Sequence, residues 1–482
     1  MRRSYLLRRL LAALIVVAVA GGPTFALLKL AARNDVTARR GIPLAALPVR
    51  AGVAHVATPL LSVRRLPGLV AGADPAKTLR EKLDQIEIGD ASCLTVAVDG
   101  VTVHAVHAAV PIVPASNMKL LTATAALELL KADSRFRTSA RAVAPPDADG
   151  VIAGDLYLVG SGDPLLSTQG FRDGRAADPK HAPDKYTSLE QLADNVLAAG
   201  VKRVTGSIVG DDSRYDTEYT RPAWNTSDIG SRPGAISALR VDGGLSTKGI
   251  TVNDPANAAA GTFARMLIER GIAVGPAKAG QAPADAGEIA SVDSVEMAEV
   301  VAEMLRSSDN GTAEMLVKEM GKVDKEQGST DAGLNALSTR FADWGVAGEG
   351  VALVDGSGLS EENRLTCQAL LTVIERSVPG TPIADALPRA GTSGTLADLL
   401  KNSAVTDLLR AKTGSLSNVR ALTGMLPTKE HLVQFAYVLN EPGIGVTPAT
   451  VEPQWRRLAD ALITFPFQPD LTRYQPLSIL AG

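Results

Sequence analysis

The run from Ser116 to Leu130 constrains this chain more than any other stretch. It is rich in Leu, Ala and Met, and its apolar residues lie around the whole circumference of a helix. A helix of that kind is buried on most of its sides, so other elements must pack around it. Pro114 stands just before it, where a missing N–H does no harm. Yet the helix opens on Ser116-Asn117-Met118-Lys119, and residues three apart share a helix face. A hydroxyl and an amine can therefore meet at the start of a buried helix. The positive end of the helix dipole favours negative charge on the Ser116 oxygen. Burial lowers the pKa of Lys119 toward the neutral state that a base requires. Ser-x-x-Lys occurs in many proteins as a capping serine and a solvated lysine, but here no other Ser has Lys three residues later.

Two further motifs, each present once, complete a set of reacting groups. Ser308-Asp309-Asn310 lies between two helical stretches, hence on a loop. A hydroxyl and a carboxamide two apart on a loop can face one cleft. Ser308 can pass a proton between base and leaving group, and Asn310 can bond both a substrate amide and the lysine. Taken alone, the motif reads as an ordinary cap, with Asp309 or Asn310 capping a helix from near Gly311. Lys412-Thr413-Gly414 is placed on an edge strand. Lys412 adds positive potential there, Thr413 can grip a carboxylate, and Gly414 lets a ligand lie close to the backbone. The N–H of Ser415 can serve a developing oxyanion, with the N–H of Ser116 as second donor. One such donor is worth ~2.7–4 kcal/mol of transition-state stabilisation. Nucleophile, base, relay and anion anchor in this order make and break an acyl-serine without a histidine, a metal or a cofactor.

The 482 residues are too many for one small core. A net charge of −3 offers no basic face for nucleic acid. The five histidines stand in no metal-ligand spacing. The two cysteines, Cys93 and Cys367, are expected to be buried free thiols, because buried cysteine is common.

Arg2, Arg3, Arg8 and Arg9 precede an uncharged stretch from Leu10 to Leu28. A basic flank followed by an apolar run predicts export. Residues 1–30 are a signal peptide, with Ala18-Val19-Ala20 as a small-residue cleavage site, or a membrane anchor. The length of the run favours the anchor, although Gly21-Gly22-Pro23 weakens such a helix. Residues 31–72 read as a linker. Residues 73–140 and 292–482 read as the catalytic domain, interrupted by an inserted accessory region over 141–291. In the first part a helix over 76–86 precedes strands Cys93 to Val98 and Val101 to Val106, joined at Asp99-Gly100. The insertion alternates short strands, such as 154–159 and 204–209, with helices at 188–199 and 259–270. Helices follow at 294–306, 312–321, 330–344 and 367–376. Strands Val419 to Leu426 and His431 to Leu439 then form a hairpin.

On these motifs the chain resembles the D-alanyl-D-alanine carboxypeptidase/endopeptidase branch of the low-molecular-weight penicillin-binding proteins, the class C or type-4 group. Leu158-Val159-Gly160-Ser161-Gly162-Asp163-Pro164, Gly210-Asp211-Asp212-Ser213, Val241-Asp242-Gly243-Gly244 and Asp355-Gly356-Ser357-Gly358-Leu359-Ser360 with Asn363-Arg364-Leu365 also fit. The resemblance implies an α/β (α+β) fold: a penicillin-binding-protein/serine β-lactamase-like domain, with an antiparallel sheet flanked by helices. The long gap from Ser116 to Ser308 fits that branch, which carries an insertion there. The resemblance also implies Ser116 as nucleophile, Lys119 as base, Ser308 as relay and Asn310 on the substrate amide. Lys412 and Thr413 would hold the terminal carboxylate of D-alanine or of a β-lactam. The implied partners are peptidoglycan stem peptides, β-lactam inhibitors and, through the N-terminal segment, the cytoplasmic membrane. One position departs: after Leu-Ser the family carries a basic residue, here Glu361. A β-lactamase or esterase with the same site, and a catalytically silent envelope scaffold, are the alternatives. The absence of a Glu-x-x-Leu-Asn motif and the intact catalytic groups argue against them.

Overall fold

The computed structural model describes residues 74–178, 181, 185–224, 233–346, 348–441 and 448–466. The N-terminal segment and the linker expected over 1–72 lie outside them. Helix α1 (Lys77–Leu83) precedes a hairpin of β1 (Cys93–Val98) and β2 (Val101–Val106). Its turn places Asp99 and Gly100 at φ 49° and 77°, the left-handed pair that matches strand twist. A 3-10 turn, Ala115–Asn117, runs directly into α2 (Met118–Leu130).

A second set of elements follows. These are β3 (Arg137–Ala142), β4 (Leu156–Val159), α3 (Leu189–Ala198), β5 (Ile208–Asp211), α4 (Pro255–Glu269), β6 (Ala277–Ala279) and β7 (Gly287–Asp293). Then come α5 (Met297–Ser307), α6 (Asn310–Lys325), α7 (Thr330–Asp343) and α8 (Cys367–Glu375). The chain closes on β8 (Arg410–Leu416), β9 (Val419–Pro427), β10 (Leu432–Asn440) and α9 (Pro448–Leu462).

The first sheet runs β8-β9-β10-β1-β2 with every pair antiparallel. Strand periodicity sorts its side chains onto two faces. Leu94, Val96, Leu422, Phe435 and Tyr437 join Leu79, Leu83, Trp455 and Leu458 under α1 and α9. Cys93, Ala97, Ala421, Met425 and Ala436 face the other way, toward α2 and α8. Helix α2 packs against α5, α6, α7 and α8. Leu120, Leu121, Ala123, Ala125 and Ala126 are fully buried, as an apolar circumference demands.

The second sheet runs β6-β5-β4-β3-β7. Its first three strands are parallel and the rest antiparallel. Helices α3 and α4 cover it with Leu192, Val196, Phe263 and Leu267 over Leu156, Leu158 and Ile208. The continuous strand expected over 204–209 is two pieces, Arg203–Val204 and β5. Gly206 sits between them, pressed so closely on Gly154 that a Cβ there would lie 2.6 Å from its carbonyl carbon. A tight backbone crossing breaks the strand where the apolar pattern alone would continue it.

Cys93 and Cys367 form a disulfide, with Cα atoms 6.0 Å apart. This corrects the expectation of free thiols. Helix α8 lies across β1 and begins at Cys367, so two side chains far apart in sequence face one another in the core. Closing so long a loop stabilises the fold by about 2–5 kcal/mol, mainly through the unfolded chain.

Candidate active site

Ser116 rides on the 3-10 turn, wedged between β8 and the 355–360 loop. Ala115 holds φ 47°, left-handed for a non-glycine residue. Its carbonyl lies against Gly358 (φ 80°), where a Cβ would approach to 1.9 Å. On the other side Gly414 admits the turn: a Cβ there would lie 3.1 Å from the Pro114 oxygen and 3.2 Å from the Ala115 Cβ. The space that Gly414 was expected to leave for a ligand is thus used by the nucleophile's own turn. Asn117 is buried and donates through Nδ2 to Thr423 Oγ1 on β9 at 2.9 Å, fixing the turn to the sheet.

Lys119 is fully buried. Its Nζ lies 3.0 Å from Ser116 Oγ, 2.6 Å from Asn310 Oδ1 and 2.7 Å from the Ser357 carbonyl oxygen. An ammonium donates to all three. A neutral amine has two N–H bonds and one lone pair, and a carbonyl oxygen can only accept. Asn310 Oδ1 and Ser357 O therefore keep the two N–H bonds, and the lone pair is left for the Ser116 hydroxyl. Burial brings the Lys119 pKa down to about 8, against the opposing pull of Asp355, Glu314 and Asp309.

Ser308 ends α5 in the left-handed region at φ 63°. Strained residues of this kind concentrate at functional sites. Asp309 Oδ1 accepts from Thr312 N at 2.6 Å and caps α6, whose first residue is Asn310. The capping turn and the candidate catalytic loop are therefore the same three residues. Arg240 is buried beside them, 4.0 Å from Asp309 and 3.5 Å from Met315 Sδ. A Cβ at Gly311 would lie 2.2 Å from an Arg240 nitrogen, so glycine at the second residue of α6 leaves room for the guanidinium where it stands. Farther along α6, Lys318 donates to Asp216 at 2.6 Å, and Arg214 and Tyr215 bind Glu319.

Lys412 lies on the edge strand, but it is fully buried rather than solvated. Its Nζ donates to Ser308 Oγ and to the Thr413 carbonyl, both at 2.8 Å. Burial, then the charge of Lys119, hold its pKa well below the usual lysine value. Thr413 Oγ1 donates to Thr395 Oγ1 at 2.7 Å, and Ser415 is exposed farther along. Pro388 accepts from the Ala411 N–H at the start of β8, and Ala390 N–H donates to Leu409 just before it. Among the described residues no strand flanks its outer edge at 413–415.

The structure gathers these residues into two hydrogen-bonded sets, Lys119 with Ser116 and Asn310, and Lys412 with Ser308 and Thr413, near enough that the charge of Lys119 acts on Lys412; Gly414 and Ser415 lie beside them on β8. Residue types had not pointed to the Ser357 carbonyl, to Asn117 as an anchor or to Thr395. Backbone carbonyls leave no trace in side-chain motifs, and Thr395 meets Thr413 only through the fold.

A model of the D-Ala-D-Ala carboxypeptidase 3 (S13) family matches residues 76–248 and 237–461. The chain is 31% identical to the D-alanyl-D-alanine carboxypeptidase of Actinomadura sp. (strain R39), over 83% of this chain and 89% of that protein. It is 32% identical to a carboxypeptidase of Mycobacterium tuberculosis, over 74% of this chain and 75% of that one. The crystal structure of penicillin-binding protein 4 from Haemophilus influenzae shares the fold. Its TM-score is 0.65 at 19% identity, covering 81% of this chain and 99% of that one.

Proposed function

The chain belongs to the D-Ala-D-Ala carboxypeptidase 3 (S13) family, and on that premise we propose that its Ser116 attacks stem peptides of peptidoglycan. The protein is a serine-type D-Ala-D-Ala carboxypeptidase. In the proposed reaction neutral Lys119 takes the Ser116 proton as Oγ bonds to the penultimate D-alanine carbonyl. The N–H groups of Ser116 and Ser415 receive the oxyanion. The proton passes through Ser308 to the leaving nitrogen, the C–N bond breaks, and D-alanine departs. Water then hydrolyses the acyl-serine. Lys412 and Thr413 hold the terminal carboxylate, while the open edge of β8 accepts the peptide backbone as an added strand. An arriving carboxylate offsets the burial and repulsion that depress the Lys412 pKa, so anion binding favours the charged lysine. A β-lactam undergoes the same attack, but its leaving nitrogen remains tethered, which makes it an inhibitor.

The observation that carries this reading is the contact set of Lys119. Two partners can only accept, and the third is the hydroxyl to be activated. Purified protein is expected to release D-alanine from a peptide ending in D-Ala-D-Ala and to retain a fluorescent penicillin. Rapid turnover of the drug would indicate a β-lactamase. A folded protein that neither labels nor releases D-alanine would be a scaffold. Cutting of a cross-link attacks the same carbonyl, and a cross-linked dimeric peptide offered in parallel tests it.

The reading places the enzyme outside the cytoplasmic membrane. The arginines and apolar run of residues 1–30 support this, as does the Cys93–Cys367 disulfide, which persists in oxidising compartments. A fusion of residues 1–72 to a reporter active only after export should be active; an inactive fusion counts against export.

A further inference from the structure

Glu314 lies one turn beyond Asn310 on α6 and is 1% exposed. Its Oε1 accepts from the backbone N–H groups of Gly356 and Ser357 at 3.1 and 2.7 Å. Its Oε2 is buried and has no hydrogen-bond partner among the described residues. Asp355, in the same loop, is held differently. Trp224 Nε1, Gly358 N, Ser360 N and Asn363 Nδ2 all donate to it.

The two backbone N–H groups bound by Glu314 belong to the turn whose next carbonyl, that of Ser357, holds Lys119. Thr122 Oγ1 pins the same turn through the Gly356 oxygen at 2.7 Å. A neutral amide could fasten such a turn without a buried charge, so fastening alone does not call for a carboxylate.

We propose that Glu314 is a positioning residue for the lysine base. It aims the Ser357 carbonyl at Lys119, and its negative charge governs how readily Lys119 releases its proton. The inference rests on the reading of Lys119 as the base. The charged groups around the lysine are Asp355 on the loop, Asp309 and Glu314 at the start of α6, and Lys412 on β8. Asp309 is committed to Thr312 and faces Arg240 and Arg175. Glu314 has an unpartnered oxygen, and burial followed by the charge of Asp355 raises its pKa to about 7. The lysine and this carboxyl thus change charge within neighbouring pH ranges.

The test is the second-order rate constant of penicillin acylation measured against pH for wild type, Glu314→Gln and Glu314→Asp. The glutamine oxygen can still accept from Gly356 and Ser357, but the charge is gone. Lys119 should then lose its proton at lower pH, moving the acid limb down by about one unit. The aspartate keeps the charge and therefore the limb. One methylene shorter, its carboxylate cannot reach the two N–H groups that converge on Oε1, and the plateau should fall about tenfold or more. A folded Glu314→Gln protein with its limb at the wild-type pH would overturn the proposal. Should that variant fail to fold, Glu314→Asp decides: a wild-type plateau or a displaced limb overturns the proposal. Failure of the underlying reading looks different, because Lys119→Arg would then acylate near the wild-type rate.

Discussion

Ser116→Ala is expected to remove covalent penicillin labelling altogether and to lower D-alanine release by about 10⁴–10⁶-fold. The size follows from the chemistry. The Oγ atom forms the bond to the carbonyl carbon, and no neighbouring group can replace it. Asn310 and Lys119 point at the same space, but a carboxamide is a poor nucleophile and the lysine is held by two acceptors. The substitution should leave the fold in place. Asn117 still ties the turn to β9, and Gly358 and Gly414 still admit it. Full labelling of a folded Ser116→Ala protein would overturn the nucleophile assignment.

Lys119→Arg should lower acylation by about 10²–10⁴-fold while the circular dichroism spectrum stays that of wild type. Arginine stays charged at any working pH, so it has no lone pair to offer Ser116. Its planar fork also cannot reproduce three contacts that converge on one nitrogen. The pH dependence of wild type provides an independent reading of the same residue. The neutral lysine is the reactive form and its pKa is about 8. Below that value the acylation rate constant should rise about tenfold per pH unit, then level off above it. Robust acylation by the arginine variant, or a flat profile from pH 6 to 8, would rule out Lys119 as base.

The face shared by Ser116 and Lys119 was legible from spacing, because three residues on a helix have one geometry. The edge position of Lys412 was legible too, from the turn and hairpin that follow it. Its burial was not, since that depends on the 115–117 turn and Ser308, brought against β8 from elsewhere in the chain. The pairing of Lys412 with Ser308 joins residues with no shared local pattern. Ser308-Asp309-Asn310 had read as either a cap or a reactive loop; the fold shows the cap, and sets Ser308 against Lys412 and Asn310 against Lys119. Glu314 was not singled out in the sequence. Nothing local marked its side chain as buried with one oxygen unpartnered. The disulfide was hidden for the same reason as the Lys412 pairing: contact between β1 and α8 is a property of the fold. The strand misread over 204–209 shows the converse limit, an apolar pattern interrupted by a backbone crossing at Gly206.

The hold on α6 bears on how far this enzyme could be reduced. Asp309, Lys318 and Glu319 face Arg240, Asp216 and Arg214, all from residues 214–240, outside the first sheet and the helices that cover it. A shortened protein keeping only that sheet and those helices would strip Lys318 of Asp216 and of the Glu218 and Ile236 carbonyls, and would uncover the far side of α6. It would also free the helix whose first residue directs the lysine at Ser116. The region between the first two motifs is therefore no detachable module. A minimal version of this hydrolase would have to redesign the far side of α6 before it could dispense with the added sheet.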